Sequence, residues 1–120
     1  RMYYEFERIG ITACPCSKEI TGIGHMQRVR LRLFIESEKI LDFEEIANKM
    51  EECFSAIPKE YLKRVDEAKL IIKSQENPKF IEDVVRDCIK RFPEAKKVEA
   101  ESYESIHSHN AYAVWYKEIQ

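Results

Sequence analysis

A chain of 120 residues, 44% hydrophobic and 35% charged, is enough for one globular domain and excludes a disordered one. A net charge of −2 argues against nucleic acid as the main partner, and the apolar runs are too short for a membrane-spanning helix. Four cysteines with no secreted-type framework point to a reduced, cytoplasmic setting. No leader peptide is visible at Arg1-Met2-Tyr3-Tyr4, and an opening on Arg1 is expected of a processed product or a piece of a longer protein.

Residues 2–13 read as a strand, with Gly10 as a place for a bulge. Residues 14–24 hold Pro15, Gly22 and Gly24 and read as a loop. The next strand, 27–36, alternates cleanly: Val29, Leu31, Leu33 and Ile35 on one face, Arg28, Arg30, Arg32 and Phe34 on the other. Asp42 with Glu45 three residues on has capping-box spacing, and a helical stripe runs from Phe43 through Met50 to Ile57, stopped by Pro58. Residues 59–76 are charged and ambiguous, with a short helix expected in 61–72. Asn77-Pro78 reads as a cap followed by a proline at the first helical position, and Phe80, Ile81, Val84, Val85, Cys88, Ile89 and Phe92 form the apolar face. Two strands close the chain, one with Val98, Ala100, Ser102 and Glu104 on a face, the other with Ala111, Ala113 and Trp115. The expected fold is therefore α+β, in the order β-β-α-α-β-β, with helices on one face of an antiparallel sheet.

Three groups of residues could carry chemistry. Cys14, Cys16 and His25 offer two thiols and an imidazole, the donors favoured by zinc- or iron-type ions. With both thiols bound, one more ligand closes a structural site; with one thiol and a carboxylate, a position stays open for water. His107 and His109 alone suit a solvated hairpin tip or convergence on one ligand equally well, and Glu104 just before them strengthens the functional reading, since a carboxylate can orient an imidazole or hold a substrate amine. Glu82 falls where acidic residues favour a helix's first turn, and Glu67 reads as a solvated charge. Arg28, Arg30 and Arg32 either bind phosphates or face solvent.

Four motifs occur together: Cys14-Pro15-Cys16-Ser17-Lys18; His25-x-Gln27-Arg28; Asn77-Pro78-x-Phe80-x-Glu82-Asp83-x-Val85-Arg86; and Glu104-Ser105-Ile106-His107-x-His109-Asn110-Ala111. In kind and order they resemble the type IB GTP cyclohydrolases, a family that includes related archaeal metal-dependent enzymes. The resemblance spans residues 11–113 and is most specific in the last motif. It implies the tunnelling fold, whose module has the β-β-α-α-β-β order reached above. It further implies GTP as substrate and ring opening with formate release to a dihydroneopterin phosphate, the first step of folate or related pterin synthesis.

By the same resemblance Cys14, His25 and Glu67 match the ligands of a divalent ion (iron(II), zinc or manganese). Glu82 matches the residue that anchors the guanine edge, and Glu104, His107 and His109 match further active-site positions. Arg28 and Lys18 are expected near the triphosphate, and Cys16 beside the ligand set rather than in it. The chain departs from the family in three ways. It carries one module, like the C-terminal half of two-module members; its Cys16–His25 segment is shorter; and Met26 stands where asparagine is common. A homo-oligomer, or assembly with a second tunnelling-fold module, is expected, since active sites in this fold form at subunit interfaces. A pterin synthase of the same fold would bind zinc through three histidines, a pattern that His25, His107 and His109 do not resemble. The other reading is a non-catalytic metal-binding subunit of a larger assembly.

Overall fold

The computed structural model describes residues 2–24, 26–57, 64–103 and 111–117, with the backbone alone for 17 and 64–67. The described residues form β1 (Met2–Ala13), α1 (Pro15–Thr21), β2 (Met26–Ser37), α2 (Phe43–Glu51), α3 (Arg64–Glu76), α4 (Ile81–Arg91), β3 (Ala95–Tyr103) and β4 (Ala111–Tyr116). The strands make a single sheet in the order β1-β2-β3-β4, every neighbour antiparallel. The expected α+β architecture is the one observed, with α1 as an addition inside the β1–β2 connection.

The alternation in β2 sets the two faces. Val29, Leu31, Leu33 and Ile35 are buried against Ile46 and Met50 of α2 and Val84 and Cys88 of α4. Val98 and Ala100 of β3 continue this face, and Ala113 and Trp115 of β4 pack at its border. Each large aliphatic side chain so buried contributes about 1.5–3 kcal/mol. Asp42 caps α2 as expected, accepting from the N–H groups of Glu44 and Glu45 at 3.1 and 3.2 Å.

Four local expectations are corrected. Residues 15–21 form a helix rather than a loop, ended by Gly22 in the left-handed conformation at φ 82°. The helix over 64–76 runs further than the expected end at 72, and residues 61–63 of that expectation lie outside the described residues. Helix α2 stops at Glu51, not at Pro58, and the chain then turns to run beside β1. Helix α4 begins at Ile81, because the Asp83 carboxylate reaches back to the N–H of Phe80 at 2.9 Å; Asn77 instead donates to the Phe54 carbonyl.

Gly10 does not mark a bulge, since β1 and β2 keep one register throughout. It leaves room for the ring of Phe54, which an added Cβ would meet at 2.1 Å. Cys53 and Cys88 are buried together in the core, and none of the four cysteines is cross-linked. The hydrogen bond between the two buried thiols, then burial, pushes the Cys88 thiol up and keeps it protonated. Among the described residues no helix is long and apolar enough to cross a membrane.

Gly10→Ala must displace the Phe54 ring from a packed core, so it is expected to lower unfolding free energy by about 1–3 kcal/mol in a denaturant titration. An unchanged midpoint would show that Phe54 is not held there.

Candidate active site

The antiparallel order brings the ends of β1 and β3 and the starts of β2 and β4 to one rim of the sheet. Cys14 follows β1, His25 precedes β2, and residues 104–110 join β3 to β4, so three of the four motif-bearing segments attach in the chain to the strand ends at that rim. His25, Glu104, His107, His109 and the side chain of Glu67 lie outside the described residues.

Cys14 is half-buried at the N-terminal end of α1, in extended conformation with Pro15 behind it. Cys16 is exposed. After α1 the chain returns through Gly24, which is buried and clamped by Gln75 of α3. The Gly24 N–H donates to Gln75 Oε1 at 2.6 Å, and Gln75 Nε2 donates to the Gly24 carbonyl at 2.9 Å. A Cβ on Gly24 would stand 3.1 Å from both the Ala13 Cβ and the Cys14 carbonyl oxygen. Lys18 donates to the Gln75 carbonyl at the end of α3.

The approach to α4 is tied to the same rim. The Lys79 N–H donates to the Ala13 carbonyl at 2.9 Å. The Lys79 ammonium donates to the Cys53 carbonyl at 3.0 Å and pairs with Asp87. This staple sets the first turn of α4, where Glu82 is exposed to solvent.

The sheet face opposite the helices is a ladder of charge. Arg30 pairs with Glu7 at 2.6 Å, and Arg32 lies 3.4 Å from Glu5 and 3.2 Å from Glu99. The Nε contacts are ion pairs rather than aligned hydrogen bonds. Exposed Arg28, opposite Ile11 and Tyr103 at the motif-bearing rim, has no ion-pair partner among the described residues. Of the three arginines it is the one available to an anion.

Glu99 is 7% exposed in the middle of this face. The Tyr112 hydroxyl that donates to it, with Arg32 and Lys97 beside it, holds its carboxyl below the ordinary range against the opposing effect of burial. The same hydrogen bond pushes the Tyr112 phenol up. Spacing in the sequence gave no sign of Glu99, Lys79 or Gln75, since each acts through a partner distant in the chain.

Among the described residues no group of three or more His, Cys, Asp or Glu side chains is close enough to hold an ion. Two of the three expected ligands, His25 and the Glu67 carboxylate, lie outside that set.

A four-stranded antiparallel sheet, helices on one face and the motif-bearing segments on one rim together define an α+β module of the tunnelling type. The family model for type I GTP cyclohydrolase folE2 matches residues 1–113, and the chain belongs to that family. It is 42% identical to a GTP cyclohydrolase FolE2 of Thermosipho melanesiensis over 118 residues, 92% of the chain and 46% of that relative. It is 44% identical to a GTP cyclohydrolase FolE2 of Dictyoglomus turgidum, covering 85% of the chain and 42% of the relative. A GTP cyclohydrolase MptA of Picrophilus torridus is 37% identical, covering 94% and 50% respectively. The chain thus spans about half the length of the curated relatives it matches.

The Tyr112–Glu99 bond gives a pH test. A carboxyl held low in the fold adds stability above its unfolded pKa of about 4.3, and this is lost as pH falls through the folded value. Tyr112→Phe is expected to cost about 1 kcal/mol at neutral pH, a low figure because the phenol is half exposed. The gap from wild type should narrow as pH falls below about 4.3. A gap that stays constant through that range would remove the assigned cause.

Proposed function

We propose that the chain is the motif-bearing module of a metal-dependent GTP cyclohydrolase, which opens the guanine imidazole ring and releases formate to leave a dihydroneopterin phosphate. The observation that carries this reading is the meeting of three segments at one rim. The exit of β1 at Cys14, the entry to β2 behind Gly24 and the approach to α4 at Lys79 are joined there by direct contacts. Membership of the family supports the same reading.

The donor chemistry fits a divalent ion. Cys14 would give a thiolate, His25 an imidazole and Glu67 a carboxylate, a set that suits zinc, iron(II) or manganese. Half-buried Cys14 and the absence of a side chain on Gly24 favour close approach of the thiol-bearing and imidazole-bearing segments. Bound there, the ion would supply Lewis acidity, which lowers the pKa of water toward neutrality.

The chain's own residues bind substrate and move protons. Glu82 would accept hydrogen bonds from guanine N1–H and the exocyclic amine. Adenine has no N1–H and would leave the carboxylate without its partner, a costly mismatch. Arg28 would bind a phosphate oxygen of the triphosphate. His107 or His109 would take the proton of the water that adds to C8 and return one to the ring nitrogen as its bond to C8 breaks. Glu104 would orient that imidazole. A second water would then release the formyl carbon as formate. As one module of two, the chain would complete this site with a further copy or a second tunnelling-fold module, in a reducing cytoplasm.

Incubation with GTP and iron(II), zinc or manganese under anaerobic, reducing conditions should release formate, and its absence with all three ions would sink the hydrolase reading of this chain alone. Glu82→Gln should keep the metal content and lower turnover on the order of tenfold to a hundredfold. A loss of metal instead would move Glu82 out of the guanine site.

The choice of Cys14 over Cys16 has its own measurement. Added zinc should protect Cys14 from alkylation while exposed Cys16 continues to react. Equal protection of both thiols would restore the two-thiol structural clamp.

A further inference from the structure

Gln75 uses both polar ends of its side-chain amide on one backbone residue, Gly24. A primary amide carries a donor and an acceptor side by side, so it can pair with a peptide as a neighbouring strand would. Gly24 needs this pairing: it is buried between α1 and β2, where its N–H and C=O are away from water. The pairing holds the peptide just before His25 against Ala13 and Cys14, at contacts of 3.1 Å that would make a Cβ a tight fit. Lys18, one turn after Cys14, closes the arrangement by donating to the backbone carbonyl of the same Gln75. Gln75 lies two turns beyond Glu67 on α3. One residue therefore links the three segments that carry Cys14, His25 and Glu67.

We infer that Gln75 is a positioning residue for the ion site, holding the His25-bearing segment against the Cys14-bearing one while fixing the end of the helix that carries Glu67. This rests on the ligand assignment proposed above. Gln75 itself touches neither the ion nor the substrate; it acts through Gly24. Groups that orient metal ligands typically change metal affinity tenfold to a hundredfold when removed.

The test uses the full-length protein and zinc binding measured by competition with a chromogenic chelator. Gln75→Met keeps the length of the side chain and removes both hydrogen bonds. It should weaken zinc binding by about tenfold to a hundredfold while the metal-free protein keeps its circular dichroism spectrum. With cobalt(II) at saturation, the thiolate charge-transfer band should persist while the ligand-field bands change shape, a signature that simple loss of stability does not produce. Gly24→Ala, which pushes the amide away from the other side, should weaken zinc binding in the same direction and serves if Gln75→Met does not fold. Unchanged zinc affinity and cobalt spectrum in a folded variant would overturn the positioning role. The ligand assignment is tested separately by Cys14→Ser: if that variant binds zinc as tightly as wild type, the ligand reading fails whatever Gln75 does.

Discussion

The outer edge of β1 between Ile11 and Ala13 is the constraint on which the rest of the arrangement depends. On one side β1 pairs with β2 along its whole length. On the other, Ile11 exchanges hydrogen bonds with Ala56 at 2.8 and 3.1 Å, the Ala13 N–H donates to the Ser55 hydroxyl, and the Ala13 carbonyl accepts from Lys79. Backbone groups at a buried edge must find partners, and here they find them in two different connections. The first follows α2 and the second precedes α4. Both helices are therefore placed relative to the point where the chain leaves the strand at Cys14. Phe54, seated over Gly10, adds a packing reason for the same alignment.

Charge is arranged so that most of it is consumed locally. On the open sheet face Arg30, Arg32 and Lys97 meet Glu5, Glu7 and Glu99, each exposed pair being worth at most about 1 kcal/mol. The ladder does more for arrangement than for stability. It engages two of the three β2 arginines and leaves Arg28 at the rim where the motifs attach. An anion bound to this face would thus meet, at one end of it and not along it, a cation with no ion-pair partner among the described residues.

How much of this could be read from the sequence depended on whether a local pattern had a local cause. The period-two alternation of β2, the Asp42 cap and the apolar stripe of α4 were legible because burial on one face dictates them directly. Helix α1 was not, because its seven residues between Cys14 and Gly22 have turn-forming residues at both ends and no stripe. Helix α3 was ambiguous for a related reason. Ser74 is buried while Ile71 and Ile72 are exposed, so its packing does not follow hydrophobicity. Asn77 looked like a cap, but Asp83 supplied the capping contact from inside the helix, and Asn77 was used to hold Phe54 instead.

The motifs propose a set of site residues and not their arrangement. Motif order named the segments, while the contacts that join them are made by residues such as Gln75, outside every motif, and Lys79, at an unspecified position of the third. Spacing alone could not choose between Cys14 and Cys16; the exit from β1 separates them, one half-buried beside Gly24 and the other turned to solvent. The same holds for the joining residues. Lys79 is one more lysine in a charged chain until its N–H meets Ala13 and its ammonium meets Cys53 and Asp87. Gln75 sits in the least patterned helix of the chain, yet its amide meets the peptide next to His25. The proposed donor set of thiolate, imidazole and carboxylate, drawn from three separate segments, would need such connections, because none of the three segments can fix the other two. The chemistry is written in the motifs, and its geometry in the hydrogen bonds between them.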